Sequence, residues 1–428
     1  MKKILSKIIF ITLSLPLLVS AQPLNFGNTF TISSGADGYG RPRIALTNNQ
    51  PIIIWRKDSS PKTIRATKWD GTNFTTPYDI TSAGVLPSSW DGPEIAAKGD
   101  TIYIVFASTA TTQSSIMLIR SFDGGNTFSD TIRVSENNPS HKFRMGNVKI
   151  DQNGHPIVSY MQYLLNWTEP KQMVNRSITY GDSFIGSAEG SFSAPGEPCD
   201  CCKSSLILDN NDIYLLFRNN INNERNSYIS KSTDGGQTFN LVADLDDYDW
   251  NVNGCPATGP LGVVNGDSLL IVRRSGASGN DEIVYSNSNK SDLNYSYNRN
   301  IDPIAGKIQD YPDLTLNGDT IFIAWQDNRN NIPDCFFSYS TNGVENLSLG
   351  NTFTDTLVTG AKLNPDLVYK NNNIHLVYND NGSNSIKYVR GSFGNISYIY
   401  EQQNKQELFY NFDLLGRKTK KPSFLFKK

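Results

Sequence analysis

Two residue types stand out for the chemistry they could do: arginines at the ends of apolar runs, and cysteines crowded into three short segments. The arginines occur as Trp55-Arg56, Phe217-Arg218 and Val272-Arg273-Arg274, and as Arg329 four residues after Trp325; Arg41 and Arg43 stand just before the run that begins at Ile44. A guanidinium is permanently charged and offers donors in a planar fork, so several gathered at one place suit a carboxylate, sulfate or phosphate ligand. The plainer reading of each is an ion pair with a nearby acid. The cysteines are Cys199, Cys201, Cys202, Cys255 and Cys335. An oxidising compartment would pair them and leave one thiol over; thiolate binding of a soft metal is the alternative. Asp244, Asp246, Asp247 and Asp249 could gather Ca²⁺ through oxygen ligands, or form only a solvated acidic loop. His141, His155 and His375 are too few and too scattered for a triad.

Whether these groups meet depends on the elements that carry them, and those follow a repeat. One phrase recurs seven times: RPRIALTNNQPIIIW, GPEIAAKGDTIYIVF, GNVKIDQNGHPIVSY, KSSLILDNNDIYLLF, TGPLGVVNGDSLLIV, YPDLTLNGDTIFIAW and NPDLVYKNNNIHLVY. The first aliphatic residues are Ile44, Ile95, Val148, Leu206, Leu261, Leu314 and Leu367, at successive intervals of 51, 53, 58, 55, 53 and 53 residues. Each phrase is a hairpin, strands a and b, with β-branched and aromatic runs around an Asn-Gly or Gly-Asp turn. A third strand such as SSIMLIRS and a fourth such as TIRVS follow. Four strands per period of about 50 residues is a propeller blade.

The fold class is therefore all-β: a propeller of four-stranded antiparallel blades, seven by repeat count, or six if one unit is decorative. The seventh unit supplies strands a to c and then runs out, whereas residues 28–34 form a lone strand before the first unit. The N-terminal strand is expected to pair with the strand around Ile386 to Arg390 and close the ring, which removes exposed sheet edges.

Two octets between strands c and d match almost letter for letter: SFDGGNTF (Ser121 to Phe128) and STDGGQTF (Ser232 to Phe239). Asp123 and Asp234 can accept hydrogen bonds from turn amides, and the glycines permit positive φ. Looser copies are TKWDGTNF in unit 1 and STNGVEN with a later NTF in unit 6. The octets resemble the Asp-box (BNR repeat), and over roughly residues 25 to 395 the chain is similar to the sialidase-like propellers. That superfamily includes sialidases, other glycan-active enzymes and non-catalytic binding propellers, so activity has to be argued from the site.

The resemblance implies a functional face opposite the octets, where strand a begins and strand b ends. Arg41, Arg56, Arg218, Arg273 and Arg329 would border its mouth and bind the substrate. Sialidases use a tyrosine nucleophile with an acidic partner and an aspartic acid near the glycosidic oxygen. On that pattern Tyr311, in Gln-Asp-Tyr-Pro-Asp-Leu, looks like the nucleophile, Asp58 like the acid, and Glu197 or Glu224 like the tyrosine's partner. The chain departs from the family at Tyr39-Gly40-Arg41-Pro42, where sialidases have Phe or Tyr followed directly by arginine. The implied function is recognition, with hydrolysis as an extension, of an acidic glycan; the alternatives are a non-catalytic adhesion propeller and a cysteine-coordinated metal-binding propeller.

By strand count all five cysteines fall on the arginine face. One of Cys199, Cys201 and Cys202 is expected to bridge to Cys255, tying units 4 and 5 together, since a disulfide needs Cα atoms within roughly 7 Å. Cys335 lies one unit further on.

The ends set the compartment. Lys2, Lys3 and Lys7 precede an apolar run from Ile8 to Val19 and then Val19-Ser20-Ala21, the pattern of an export signal over residues 1–21. Its removal takes away three lysines and no acid, moving the formal charge from -2 to -5, which does not suit nucleic acid. Residues 22–397 would form the propeller and 398–428 a polar, then basic tail. Within the tail, Phe412-Asp413-Leu414-Leu415-Gly416-Arg417 resembles a segment of the C-terminal sorting domains read by type IX secretion machinery. The expectation is a monomer without a membrane-spanning segment, outside the cell or on its surface.

Overall fold

The computed structural model describes residues 24–393, apart from 39, 58, 60, 81–83, 86–90, 109–113, 342, 344–346, 348–349 and 353–359, together with 411–412 and 418–419. The expected export signal, Asp58 and most of the tail lie outside the described residues. Within the tail, Asn411–Phe412 pairs with Lys418–Thr419.

Each repeat folds as one antiparallel sheet of neighbouring strands, giving seven blades. Blade 1 is Gly40–Thr47, Gln50–Arg56, Ile64–Lys68 and Tyr78–Asp79, strands a to d. Strand b is buried on both faces, and its two-residue period divides the side chains between neighbours. In blade 1, Ile52 and Ile54 pack toward blade 2, while Ile53 and Trp55 pack toward blade 7. The same division gives seven apolar clusters, one at every seam between consecutive blades. Each fully buried Ile, Leu or Val contributes about 1.5–3 kcal/mol relative to exposure, so the ring is held by its seams.

Closure follows the expectation, and the ring has seven blades rather than six. Blade 7 runs Lys362–Lys370, Asn373–Asp380 and Ser385–Phe393, and the N-terminal segment supplies strand d in two pieces. Leu24–Phe26 pairs with Phe393 to Gly391, and Phe30 and Thr31 pair with Tyr388 and Lys387. The Ile32 amide donates to the Ile386 carbonyl at 2.8 Å. The strand thus begins four residues earlier than expected and is interrupted at residues 27–29.

The two octets fold alike. Asp123 Oδ1 accepts from the amides of Asn126 and Thr127, both at 2.9 Å, and Oδ2 accepts from Thr127 Oγ1 at 2.6 Å. Asp234 accepts from Gln237 and Thr238 in the same way. Phe128 packs into the seam of blades 1 and 2, and Phe239 into that of blades 3 and 4. Blade 3 carries a variant that the sequence pattern does not reveal, Ser177 to Phe184, with Thr179 where the aspartate would stand. There Ser177 Oγ accepts from the Gly181 amide at 2.8 Å, as Ser121 accepts from Gly125 at 2.9 Å.

Strand a of blade 4 is broken. Glu197–Pro198 pairs with Asn220 and Asn219, and Ser205–Asp209 resumes opposite Leu216 to Asp212. Between them, the Cys199 amide still donates to the Arg218 carbonyl at 2.8 Å, and residues 200–204 then leave the ladder, so that three cysteines gather at the end of the blade away from the octets.

Candidate functional site

The seven a strands surround a central channel of about 540 Å³. Two repeat positions recur in its upper wall: three residues before the first aliphatic stand Arg41, Lys203, Thr258, Tyr311 and Asn364, and one residue before it Arg43, Glu94, Asn147, Pro260, Asp313 and Asp366.

A recurrent bulge aims the upper set. The ladder between strands a and b slips at Gly40/Arg43, Arg144/Asn147, Asp310/Asp313 and Leu363/Asp366. At each slip one non-glycine residue takes a left-handed backbone: Arg41 (φ 51°), Met145 (60°), Tyr311 (48°) and Asn364 (53°). Such conformations cost about 1–3 kcal/mol each and persist where surrounding structure over-determines them. Arg41 and Tyr311, from blades 1 and 6, meet across blade 7: the guanidinium carbon lies 4.7 Å from the ring centroid. Gly92 makes room for this, since a Cβ there would come within 2.6 Å of the Arg41 Cβ.

Tyr311 is held from behind by Asp310. Asp310 Oδ1 accepts from the Tyr311 amide at 2.8 Å and from the Thr258 hydroxyl, and Oδ2 accepts from Arg274 Nη1 at 2.7 Å. Burial raises the pKa of the Tyr311 hydroxyl, with Arg41 and Arg274 pulling the other way. Burial likewise raises the Asp310 carboxyl against the pull of Arg274.

Beneath this pair lies a charge network. Glu94 Oε1 bonds Arg43 Nε and Lys203 Nζ, both at 2.8 Å, and Asp366 approaches Arg43 Nε at 3.8 Å. Burial works against the Glu94 carboxylate, but Arg43 and Lys203 bring it down to about 2. Asp366 and Asp313, buried near each other, are pushed up. They also accept the amides of Ile44 and Leu367, so the network fastens neighbouring blades.

The arginines at the ends of the b strands turn inward. Arg56 Nη1 donates to the Asp91 carbonyl at 2.8 Å. Arg218, fully buried, donates to the carbonyls of Thr258, Arg225 and Arg274. Arg273 bonds the Asp246 carboxylate, the Leu245 carbonyl and Ser286. Arg329 pairs with Asp302 and Asp327. Of the residues singled out in the sequence, the structure brings Arg41 and Tyr311 together. It places Glu197 exposed, across from Asn220 on blade 4, and Glu224 in a bridge with Asn251. Asp58 lies outside the described residues. The four aspartates from Asp244 to Asp249 are engaged with Asn226, Ser227, Arg273 and Tyr295. Lys203, Glu94, Asp313 and Asp366 were not singled out. Aligning the residues one and three places before each first aliphatic would have found them.

Cys201 is bridged to Cys255 with Cα atoms 6.2 Å apart, joining blades 4 and 5 as expected. Cys335 packs as a free, buried thiol in the seam of blades 6 and 7. Among the described residues, one group of three or more His, Cys, Asp or Glu has converging ligand atoms: Cys199, Cys201 and Cys202, within 4.8 Å.

Comparison with solved structures places this fold among known propellers. The chain is similar to an ulvan lyase of polysaccharide lyase family PL25 bound to -[GlcA(1-4)Rha3S]-, with TM-score 0.54 and 8% identity over 85% of this chain and 95% of that one. It is also similar to a protein of unknown function from Dyadobacter fermentans, with TM-score 0.51 and 13% identity over 87% and 99%. The Hadza microbial sialidase Hz136 gives TM-score 0.49 and 15% identity over 69% of this chain, which spans 65% of that sialidase's length. No family model matches the chain, and no curated protein matches its sequence. At these identities the likeness shows the fold alone, a β-propeller, and the chain's own sheets make it seven-bladed. No helix among the described residues is long and apolar enough to cross a membrane.

Proposed function

We propose that the chain is an exported, sialidase-like Asp-box propeller whose channel mouth recognises an acidic glycan, one bearing carboxylate or sulfate groups. The observation that carries this reading is the stack of Arg41 on Tyr311 over the channel. An aromatic ring offers a sugar an apolar face, and a neighbouring guanidinium offers its acidic group charge-assisted hydrogen bonds. The ulvan lyase of similar fold is itself bound to an acidic saccharide.

Recognition stands ahead of cleavage in this reading. A tyrosine nucleophile needs a proton acceptor, and Asp310 beside Tyr311 has both oxygens occupied by Thr258, the Tyr311 amide and Arg274. Titration of the purified chain with uronate- and sulfate-bearing oligosaccharides, against neutral ones of equal length, tests the proposal. Selective, salt-weakened binding of the acidic set is expected, with loss on Arg41→Ala. Equal binding of neutral sugars would refute it. A parallel screen on sialosides and uronides with Tyr311→Phe reads hydrolysis separately.

A further inference from the structure

The loop that interrupts strand a of blade 4 brings four sulfurs together. Cys199 Sγ lies 3.0 Å from Cys202 Sγ and 3.6 Å from Cys201 Sγ, whose own partner is Cys255. Cys199 and Cys202 are fully buried, while Cys255 is exposed. A turn closed by the Cys202 amide on the Cys199 carbonyl, at 3.2 Å, holds the two thiols side by side. Arg225 Nη1 is 3.3 Å from Cys199 Sγ. The arrangement is a dithiol set against a disulfide, with a cation beside one thiol.

We propose that Cys199 and Cys202 are an exchange-active dithiol whose substrate is the Cys201–Cys255 bridge. The Cys199 thiolate attacks Cys201 Sγ; the Cys201–Cys255 bond breaks, and Cys255 leaves as a thiolate that takes a proton from water. The Cys202 thiolate then attacks Cys199 in the mixed disulfide and releases Cys201. One disulfide and two thiols give one disulfide and two thiols. Cys199 and Cys202 lose two protons, Cys201 and Cys255 gain two, and no outside oxidant or reductant enters.

The surroundings fit the roles. The hydrogen bond with Cys202, with Arg225 and Arg218 nearby, brings the Cys199 thiol down, whereas burial pushes Cys202 up. The thiolate is the attacking species, so Cys199 goes first. The same guanidiniums disfavour a metal cation here, and Cys201 is already committed to a covalent bond. Exchange also has a structural consequence. The bridge ties the loops directly before Lys203 and Thr258, both in the channel wall, and Thr258 bonds Asp310 behind Tyr311. Moving the bridge from Cys201–Cys255 to Cys199–Cys202 unties blades 4 and 5 beside the mouth.

The test is acid quenching, alkylation and non-reducing peptide mapping of the full chain after incubation between pH 5 and 9. Wild-type protein is expected to yield both connectivities, Cys201–Cys255 and Cys199–Cys202. Formation of the Cys199–Cys201 mixed disulfide should speed up as pH rises, and its resolution by the more buried Cys202 should go on accelerating to the alkaline end of the range. Cys202→Ser should trap Cys199–Cys201 with Cys255 free to alkylate, and Cys199→Ser should keep Cys201–Cys255 alone. The wild-type measurement stands even if a variant fails to fold. Only Cys201–Cys255 after hours at pH 8, two permanent bridges with no thiol at Cys199, or stoichiometric zinc or copper on the purified chain would each overturn the proposal. None of these outcomes bears on glycan binding, which is read separately.

Discussion

The guanidinium of Arg41 lies over the ring of Tyr311, 4.7 Å from its centroid, and both residues hold a left-handed backbone conformation. They belong to blades 1 and 6, so their meeting depends on the ring being closed between them.

That strain separates stability from function. Arg41→Gly relaxes the backbone at φ 51° but removes the stacked cation. The two effects oppose each other at about 1–2 kcal/mol each. Thermal unfolding should therefore move by only a few degrees, while binding of an acidic oligosaccharide falls at least about tenfold, a change of about 1.4 kcal/mol. Calorimetric titration beside a melting curve checks both.

Closure should dominate stability. Deleting residues 24–34 exposes an edge of blade 7 and removes Ile32, Phe30 and Phe26 from their clusters. Loss of even one well-buried side chain of this size costs about 2–5 kcal/mol. The truncated chain should melt at least about 5 °C lower, at about 1–1.5 °C per kcal/mol for a ring of this size, and scatter light on heating. An unchanged melting temperature would mean that the seam contributes little.

The octets should differ in weight although their hydrogen bonds match. Phe239 is almost fully buried, whereas Phe128 is only partly so. Asp234→Ala should therefore lower the melting temperature more than Asp123→Ala, because the turn it releases anchors the deeper plug. Neither change should alter glycan binding, since both turns lie at the end of the blades away from Arg41.

Acid should loosen the closing blade through His375. Burial brings its pKa from 6.5 down to about 3, and its ring nitrogen lies 2.7 Å from the Tyr388 hydroxyl. The unfolded chain takes up a proton below pH 6.5, but the folded chain does not until about pH 3. This contribution to stability is present in full above pH 6.5 and is lost as pH falls toward 3. Denaturant melts between pH 7 and 4 should show falling stability, and His375→Phe should flatten that slope.

The sequence alone determined the ring. Seven phrases about 53 residues apart, each with a two-residue apolar period, leave every blade two faces to bury, and a missing last strand matched by a spare first one closes the circle. The octets were legible for the same reason, being local turns whose donors and acceptors lie within eight residues. The variant at Ser177 to Phe184 escaped because Thr179 stands where the pattern expects an aspartate, and only the folded turn shows the Ser177 hydroxyl accepting from Gly181. The mouth is where tertiary structure decided. A strand ending in arginine sets the height of that residue along the blade, but not which way its side chain faces. Strand b stands one place back from the channel, so Arg218 and Arg273 meet carbonyls and carboxylates of their own and adjoining blades. Among the described residues, the channel is lined by the a strands and the segments leading into them, and there the left-handed bulge turns Arg41 and Tyr311 toward each other. Such a backbone conformation is forced by the register between strands and by packing across blades, neither of which is written in the spacing of residues along the chain.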